Sequence, residues 1–489
     1  MTQWEHLTAL ELGRAIARGE VTIPEVTQGA LERIAREDQV YHSYLTVTGE
    51  QAMDRAHRLQ AQLAKGVGPL YGVPMGLKDN LCTRGVPTTC GSKLLEGFCP
   101  PYNATVVERL EAAGGVSLGK LNMDEFAMGS TSETSHFGPV RNPWDTQRVA
   151  GGSSGGAAAA VAAGLGWYAI GSDTGGSIRQ PAAYCGVTGI KPTYGSVSRY
   201  GLVAYASSLD QVGPLGRDAA DCAAVLEVLQ GWDRRDATSV ERTYGPLLSQ
   251  LNQPLNGLRI GLPAQCFPPE LDGQTARCVR QAAQVLKERG ARIVEVSLPG
   301  LEYAVAAYYI LASAEASSNL ARYDGVKYGW RAEGTQSLEE LYCRTRTQGF
   351  GLEAKRRMLL GAFVLSSGHY EDYYRTALRA RAVIDQGFSQ AFGRCDVLLT
   401  PVTPAAAPRL GESLSNPLEM YQGDLYTVPV NLAGLPALSM PCGLDGEGLP
   451  LGAQLIAPRF EEGVLLRVAH AFQQDTAYHK VQCRGGLEV

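Results

Sequence analysis

The chain contains few of the patterns that mark metal sites or disulfide scaffolds. Its eleven cysteines are scattered with no C-x-x-C pair, and its seven histidines form no H-x-x-x-H or H-E-x-x-H pattern. Zinc sites need such ligands at fixed spacing, so the sequence predicts no metal site. A chain of 489 residues also has no need of disulfide staples, and most of its cysteines are interpreted as small core residues.

Long apolar runs, targeting signals and an excess of positive charge are also missing. The longest weakly polar run, residues 157–171, is too short and too weakly apolar to span a bilayer. The N-terminal segment 1–20 is typical of a short amphipathic helix and lacks the basic and apolar regions of a signal peptide. A net charge of -5 argues against a nucleic-acid surface, which needs clustered positive charge. These absences predict a soluble protein of the cytoplasm that binds no membrane.

Hydrophobic periodicity predicts an α/β protein. Helical spacing over 24–37 and 50–65 predicts an N-terminal helical layer, residues 1–66. From residue 68 onward, short apolar runs alternate with helical stretches, which predicts a buried sheet covered by helices on both faces. The length permits two to four domains or one large one. The polar segment 231–256 is the nearest thing to a boundary, and it is interpreted as a surface excursion within one domain.

The predicted elements that follow the N-terminal layer can be placed along the chain. Strands are predicted within residues 71–80, 114–122, 166–176, 258–264, 291–300, 395–404, 436–443 and 451–458. Helices are predicted at residues 218–230, 274–289, 301–322 and 369–393. Two of the strand runs end at motifs that carry reactive side chains.

The stretch GSDTGGSIRQPAAYCG, residues 171–186, is one of these motifs. It begins as a buried strand, turns at Gly175 and Gly176, and starts a helix after Ser177. Adjacent glycines let consecutive N–H groups point at one spot at a helix start, and such a nest suits an oxyanion. Ser177 would then attack a carbonyl carbon while these donors hold the developing negative charge. Taken alone, the same turn is more often a serine that only caps a helix.

A second serine turn, AGGSSGGAAAA at residues 150–160, lies shortly before the first. It matches G-x-S-x-G, the nucleophile elbow of α/β-hydrolases. An elbow needs an apolar strand directly before it, whereas residues 141–150 are interpreted as a loop, so the elbow fits weakly. His369, His470 and His479 lie in helical patterns and are interpreted as surface or packing residues. A serine nucleophile here would therefore need another base.

Lysine can serve as that base if it is desolvated, because burial disfavours the ammonium and lowers its pKa. Lys78 follows an apolar run in GVPMGLKDN, residues 72–80, at a predicted strand end. A lone lysine at a strand end is usually solvated. The residue alone does not indicate a catalytic role.

Taken together, these three motifs resemble the amidase signature family in order and spacing over residues 72–195. The resemblance implies a Ser-cisSer-Lys triad. Ser177 would be the nucleophile, Ser153 the bridging hydroxyl on a cis peptide, and Lys78 the base. In this scheme the second serine turn and the lysine do the work that histidine does in other serine hydrolases.

The resemblance also implies a fold and an oxyanion hole. The fold is a single large domain over residues 1–489 with a mixed central β-sheet, and residues 68–200 form its signature core. Backbone N–H groups around Thr174, Gly175 and Gly176 would stabilise the tetrahedral oxyanion.

Three later stretches, residues 308–329, 349–374 and 420–443, resemble the A subunits of tRNA-dependent amidotransferases within this family. This implies a glutaminase that supplies ammonia to a partner, which amidates Glu-tRNA(Gln) or Asp-tRNA(Asn). No P-loop pattern occurs in the chain, so ATP and Mg²⁺ are expected in a B subunit, with a small C subunit completing a heterotrimer. No cofactor is expected on this chain.

The A-subunit motifs also imply residues that bind free glutamine. Arg357 would bind the α-carboxylate and Asp424 the α-ammonium, each through charge-assisted hydrogen bonds. Tyr308 would line the same pocket. The loop MGSTSE, residues 128–133, is expected to border the site through Ser130. From residue type alone, Arg357 would lie on a solvated helix face and Asp424 in a turn, since charged residues are mostly exposed.

Two other functions remain open from the sequence. A stand-alone amidase of the same family would act on a neutral aliphatic or aryl amide and would need neither Arg357 nor Asp424 in its acyl pocket. A scaffold subunit would keep the fold without catalysis, but the intact Lys78, Ser153 and Ser177 argue against it.

Overall fold

One large mixed sheet organises the part of the chain that the computed structural model describes, residues 4–64 and 66–483. Thirteen strands occur in these ranges: β1 (Tyr44–Val47), β2 (Pro74–Lys78), β3 (Val116–Leu121), β4 (Arg141–Asn142), β5 (Asp145–Val149), β6 (Tyr168–Asp173), β7 (Thr188–Lys191), β8 (Gln211–Gly216), β9 (Arg259–Pro263), β10 (Arg292–Val296), β11 (Val397–Pro401), β12 (Ala437–Leu444) and β13 (Pro450–Ile456). Eleven of them form the sheet, in the order β1-β3-β2-β6-β8-β7-β12-β13-β11-β9-β10. Parallel pairs such as β2–β6 and antiparallel pairs such as β6–β8 both occur, which confirms the mixed sheet.

Helices flank this sheet along the whole sequence. Sixteen α-helices lie in the described residues: α1 (Ala9–Ala17), α2 (Ile23–Tyr41), α3 (Gly49–Ala61), α4 (Thr105–Ala112), α5 (Gly155–Ala162), α6 (Arg179–Tyr184), α7 (Ala219–Leu229), α8 (Gly273–Glu288), α9 (Ala304–Leu320), α10 (Leu338–Gly349), α11 (Leu352–Leu365), α12 (Arg375–Phe392), α13 (Glu412–Ser415), α14 (Pro417–Gln422), α15 (Val428–Leu432) and α16 (Glu462–Asp475). Every residue of β2, β6, β8 and β13 is buried. Because successive strand residues point to opposite faces, the sheet is covered on both faces there, as predicted.

The N-terminal layer is mostly helical, as its periodicity predicts. Helix α2 begins at a capping box in which Thr22 and Glu25 satisfy each other's backbone N–H groups, with Pro24 in its first turn. The layer also contains β1, which pairs antiparallel with β3 at the sheet edge and was not predicted. A four-residue strand has too few positions to show a period, and its pairing partner is distant in sequence.

The predicted loop at residues 141–150 is a second difference. Strands β4 and β5 form a small antiparallel hairpin there, outside the main sheet. The prediction of a loop is therefore wrong; the five residues of β5 are mostly polar and only partly buried, so they carry no hydrophobic signal. The hairpin is still not the buried apolar strand that a nucleophile elbow requires.

The later predicted strands and helices are all present. The region predicted as one helix over 369–393 begins with a π-helical turn, Tyr370–Tyr374, and continues as α12. Residues 231–256 contain a single 3-10 turn, Leu248–Gln250, and no α-helix or strand. Among the described residues, no helix combines the length and apolar character that crossing a membrane requires.

The sheet order places the reactive motifs together. Strands β2 and β6 are adjacent and parallel, with Leu77 paired with Ile170, so their carboxyl ends lie at the same edge. Lys78 ends β2 and Asp173 ends β6. Ligand sites of α/β sheets commonly lie at this edge, because the loops that follow parallel strands meet there.

Candidate active site

The amine of Lys78 is enclosed by serine hydroxyls. The side chain is fully buried, and its Nζ lies 2.7 Å from Ser153 Oγ, 2.9 Å from Ser154 Oγ and 2.9 Å from Ser172 Oγ. Burial lowers the pKa of Lys78 to about 7, although three nearby aspartates oppose this shift. The interpretation of a solvated strand-end lysine is wrong here. At neutral pH a large share of this amine is unprotonated and can accept a proton.

Ser153 lies on the turn that enters α5. Its side chain is fully buried, and the Gly152–Ser153 peptide bond is cis, as the resemblance implies. The neighbouring Ser154 donates its N–H to Ser177 O at 3.1 Å. The two serine turns are therefore held against each other through their backbones.

The turn that carries Ser177 connects the end of β6 to the start of α6. The Asp173 carboxylate accepts the N–H of Gly176 at 2.9 Å and the N–H of Ile178 at 3.1 Å. These two bonds fix the backbone on both sides of Ser177, whose side chain is almost fully buried. Gly176 has φ of +140°, a conformation that residues with a Cβ rarely adopt.

The predicted oxyanion donors differ in their present partners. The Gly176 N–H is directed at Asp173, whereas the N–H groups of Thr174, Gly175 and Ser177 donate to no acceptor in the described part of the chain. These three donors are therefore the ones open to a ligand. The oxyanion role predicted for Thr174, Gly175 and Gly176 stays a prediction.

A buried ion pair supports this turn, and sequence reasoning did not find it. Asp173 and Arg179 are fully buried and joined by two bonds of 3.0 Å. Burial alone would raise the pKa of Asp173, but the Arg179 guanidinium outweighs it and holds that pKa well below its usual range. Arg179 also donates to Thr427 O at 3.1 Å and to Gln454 Oε1 at 2.6 Å. The ion pair thus connects the Ser177 turn to the segment that carries Asp424.

Arg357 lies on α11 with only 3% of its surface exposed, so the interpretation of a solvated helix face is wrong. Its Nε donates to Glu353 Oε1 at 2.8 Å and its Nη1 to Tyr205 OH at 2.6 Å. Its Nη2 is buried and has no hydrogen-bond partner in the described ranges. A buried donor without an acceptor is costly, so an anionic ligand group at this position would be stabilised.

Asp424 is also buried, at 5% exposure, rather than in a solvated turn. Its Oδ2 accepts hydrogen bonds from Ser130 Oγ at 2.7 Å and from Tyr309 OH at 2.9 Å. Its Oδ1 has no hydrogen-bond donor among the residues that the structure describes. Burial raises the pKa of Asp424 to about 7, and the two hydroxyls and Arg357 partly oppose the shift.

Tyr308 connects the Ser177 turn to this charged pocket. Its side chain is buried and lies so close to Gly175 that a Cβ at that glycine would be 2.5 Å from Tyr308 Cζ. Only glycine permits this approach. The structure thus brings Tyr308 against the turn, while Ser130 contacts Asp424.

Sequence reasoning missed several aromatic and acidic residues of the pocket. The rings of Tyr205, Tyr309 and Tyr421 lie 5.1 to 5.8 Å from the Arg357 guanidinium carbon. Glu353 precedes Arg357 by four positions on a helix, an i,i+4 spacing that would have indicated the ion pair. No local pattern indicates the three tyrosines, because they come from distant segments.

The other candidate groups lie outside this site. Among residues 4–64 and 66–483, no group of three or more His, Cys, Asp or Glu side chains is arranged to hold a metal ion. His369, His470 and His479 are each partly buried and lie on or beside helical elements, as interpreted from the sequence.

Known proteins share both the sequence and the fold of this chain. An amidase family profile matches residues 25–466. The chain is 53% identical over 484 residues to the A subunit of glutamyl-tRNA(Gln) amidotransferase of Lachnoclostridium phytofermentans, covering 97% of this chain and 98% of the relative. It is 55% identical over 477 residues to the protein of the same name from Moorella thermoacetica, with coverage of 97% and 98%. The crystal structure of the corresponding A subunit from Thermotoga maritima matches with a TM-score of 0.83 at 37% identity, covering 100% of both chains.

Proposed function

The chain belongs to the amidase signature family, and from this premise we propose that it is the glutamine-hydrolysing subunit of a tRNA-dependent amidotransferase. One observation carries the choice of substrate: Arg357 with an open Nη2 and Asp424 with an open Oδ1 share one buried region. Opposite charges of this kind match the α-carboxylate and α-ammonium of a free amino acid. Tyr308 lies against the Ser177 turn, where the side-chain amide would react, and its ring is 5.0 Å, centroid to centroid, from that of Tyr309 in the charged region.

In the proposed reaction, Ser177 Oγ attacks the δ-carbon of glutamine. Its proton passes to Ser153 Oγ while the Ser153 proton passes to the neutral amine of Lys78. Open N–H groups of the turn at Thr174 and Gly175 stabilise the oxyanion, and one such donor lowers the barrier by about 3 to 4 kcal/mol.

The tetrahedral intermediate then collapses by breaking the C–N bond. The Lys78 ammonium returns a proton through Ser153 to the departing nitrogen, and ammonia leaves. The γ-glutamyl ester on Ser177 is hydrolysed by water, which regenerates the serine and releases glutamate. The same relay activates that water, so the cycle needs no cofactor on this chain.

The relatives are each named as one subunit of a larger enzyme, which supports partner subunits for this chain. We place ATP, Mg²⁺ and the misacylated tRNA on a B subunit, with a small C subunit completing a cytoplasmic heterotrimer. The chain itself has no P-loop pattern and a net charge of -5, which argues against its binding ATP or tRNA alone.

A comparison of two substrates tests the proposed function against a stand-alone amidase. Ammonia release is measured with glutamine and with butyramide, which is glutamine without its α-carboxylate and α-ammonium groups. We expect kcat/KM to be much higher for glutamine. A preference for butyramide would show that the two buried charges do not serve recognition and would refute the glutaminase proposal.

Substitution of Arg357 tests the carboxylate-binding role. Arg357→Ala removes charge-assisted hydrogen bonds, so we expect KM for glutamine to rise roughly 10- to 150-fold with kcat changed little. Lys355→Ala is the matched control, because it removes a positive charge from the same helix. Among the described residues, Lys355 Nζ donates only to Thr347 O. Steady-state kinetics distinguish the two variants. An unchanged KM in Arg357→Ala would contradict the assignment.

The pH dependence of hydrolysis tests the protonation states. Lys78 must be neutral and Asp424 must be ionised, and the pKa of each is about 7, so both conditions are met above pH 7 and lost below it. We expect kcat to fall toward tenfold for each pH unit below 7. Since glutamine binding keeps Asp424 ionised, kcat/KM should fall more steeply than kcat. A kcat profile that stays flat down to about pH 5.5 would exclude a lysine base.

A further inference from the structure

We propose that Tyr309 is a positioning residue for substrate recognition, which holds the carboxylate of Asp424 and the guanidinium of Arg357 in the places where glutamine binds them. The inference rests on the proposed function. It assigns Tyr309 no contact with the reacting atoms, and it concerns a different residue from the adjacent Tyr308, which is predicted to line the pocket.

The hydroxyl of Tyr309 is one of two donors that hold a single oxygen of Asp424 and leave the other open. Tyr309 OH and Ser130 Oγ both donate to Oδ2, at 2.9 and 2.7 Å. No donor in the described residues reaches Oδ1. A carboxylate held through one oxygen presents the other in a fixed direction, which suits a single ammonium group better than a freely rotating carboxylate does.

The ring of Tyr309 lies against the other charge of the pocket. Its ring is 5.1 Å from the Arg357 guanidinium carbon and 3.9 Å, centroid to centroid, from the ring of Tyr421. Tyr421 OH donates to Glu353 Oε1 at 3.1 Å, and Arg357 Nε donates to the same oxygen at 2.8 Å. These contacts join four residues, Arg357, Tyr309, Tyr421 and Glu353, in a closed ring. Tyr309 is the member of this ring that also binds Asp424.

The position of Tyr309 on the chain explains how it reaches both charges. It lies on α9, whereas Arg357 lies on α11 and Asp424 follows α14. Helices α9 and α11 pack against each other, and α15, which follows Asp424, also packs on α9. A rigid aromatic side chain with a polar end can therefore span the gap between the two charged groups.

Electrostatics favour this role for the hydroxyl. Burial raises the pKa of Tyr309 far above its usual range, so the side chain stays a neutral donor. The groups that face Asp424 are the hydroxyls of Ser130 and Tyr309, which lower its pKa, with Arg357 acting in the same direction and Asp173 opposing them. The buried Tyr184 and Tyr308 also face this carboxylate and are neutral.

Removing the Tyr309 hydroxyl should therefore raise the pKa of Asp424 further. A larger fraction of Asp424 would then be protonated at pH 7, and a neutral carboxyl binds an ammonium group weakly. The effect should be small at high pH, where Asp424 is ionised in both proteins, and large at and below neutral pH.

The test uses Tyr309→Phe in the full-length chain, alone and with its partner subunits. Phenylalanine keeps the ring beside Arg357, so we expect a folded protein with an unchanged thermal unfolding midpoint. KM for glutamine at pH 7 should rise about tenfold, the effect of one hydrogen bond to a charged group, while kcat changes less than about twofold. In the pH profile of kcat/KM, the acid limb should move to higher pH, because it also reports the ionisation of Asp424. In the pH profile of kcat, the acid limb reports Lys78 and should not move.

A second variant keeps the proposal testable if Tyr309→Phe folds poorly. Ser130→Ala removes the other hydroxyl from the same oxygen and should move KM and the kcat/KM limb in the same direction. If the wild-type protein hydrolyses glutamine but both variants keep its KM and the acid limb of its kcat/KM profile, the inference about Tyr309 is overturned. The proposed function would still stand. A fall in kcat equal to the fall in kcat/KM would overturn it as well, since that indicates a general structural effect. If the wild-type chain hydrolyses no glutamine, either alone or with its partner subunits, the proposed function is refuted instead.

Discussion

We expect replacement of Ser177 by alanine to abolish glutamine hydrolysis and glutamine-dependent amidation of tRNA, but to leave amidation from added ammonium salts intact. The expected loss in kcat is about 10⁴-fold or more, because no acyl-enzyme can form and water must attack the amide directly. Ammonia supplied from solution bypasses this step. The measurements are ammonia release by the chain and amidation by the assembled complex, each with glutamine or ammonium chloride.

The control for this variant is Ser313→Ala on α9. Ser313 is also fully buried, but its Oγ has no hydrogen-bond partner in the described residues, so its loss should affect neither reaction. If Ser177→Ala also eliminated the ammonia-dependent reaction, the division of labour between this chain and its partner would be wrong. If glutamine hydrolysis survived, another nucleophile would be at work.

Lys78→Met should reduce kcat by about 10²- to 10⁴-fold, the usual contribution of a general base. Methionine keeps most of the side-chain volume beside Ser153, Ser154 and Ser172, so the fold is expected to persist. The variant removes the only amine within hydrogen-bond reach of these hydroxyls in the described part of the chain. Single-turnover kinetics should show that formation of the acyl-enzyme is the slow step.

Lys78→Arg tests whether the site needs a base at residue 78 or only a positive charge there. A guanidinium keeps a positive charge but cannot deprotonate at neutral pH, so this variant should be as inactive as Lys78→Met. Recovery of activity in Lys78→Arg would mean that the site needs a cation rather than a base. The proton relay proposed for Ser153 would then fail.

Lys191 shows that burial alone does not identify a catalytic lysine. It is also fully enclosed, and burial lowers its pKa to about 7, the same value as for Lys78. Its Nζ donates to the backbone carbonyls of Pro192 and Leu435. Carbonyl oxygens have no proton to transfer to a neutral amine. Lys78 differs because hydroxyl groups surround its amine, and only such groups can pass a proton to it.

Local sequence patterns predicted the main elements of the fold because buried strands and amphipathic helices leave a periodic signal. The strands that were missed are β1, β7, β8 and the pair β4–β5. They are short, polar or interrupted by glycine and proline, and distant partners or turn geometry stabilise them. Predictions of this kind succeed where a segment has enough apolar residues to show a period.

The charged residues of the site were harder to predict. From residue type alone, Arg357 and Asp424 are expected to be exposed, and only the family resemblance placed them in a pocket. Their burial depends on aromatic residues from α9 and on Tyr205, which lie far away in sequence. The Asp173–Arg179 pair, which supports the Ser177 turn, likewise needs the completed fold to be recognised.

Trapping of the acyl-enzyme tests the central claim most directly. The full-length chain is mixed with glutamine, quenched in acid within one turnover, digested and examined by mass spectrometry. The account predicts a γ-glutamyl ester on the peptide that contains Ser177, absent from Ser177→Ala and formed much more slowly in Lys78→Met. An adduct on Ser153 instead, or full-rate hydrolysis with no adduct on any serine, would contradict it.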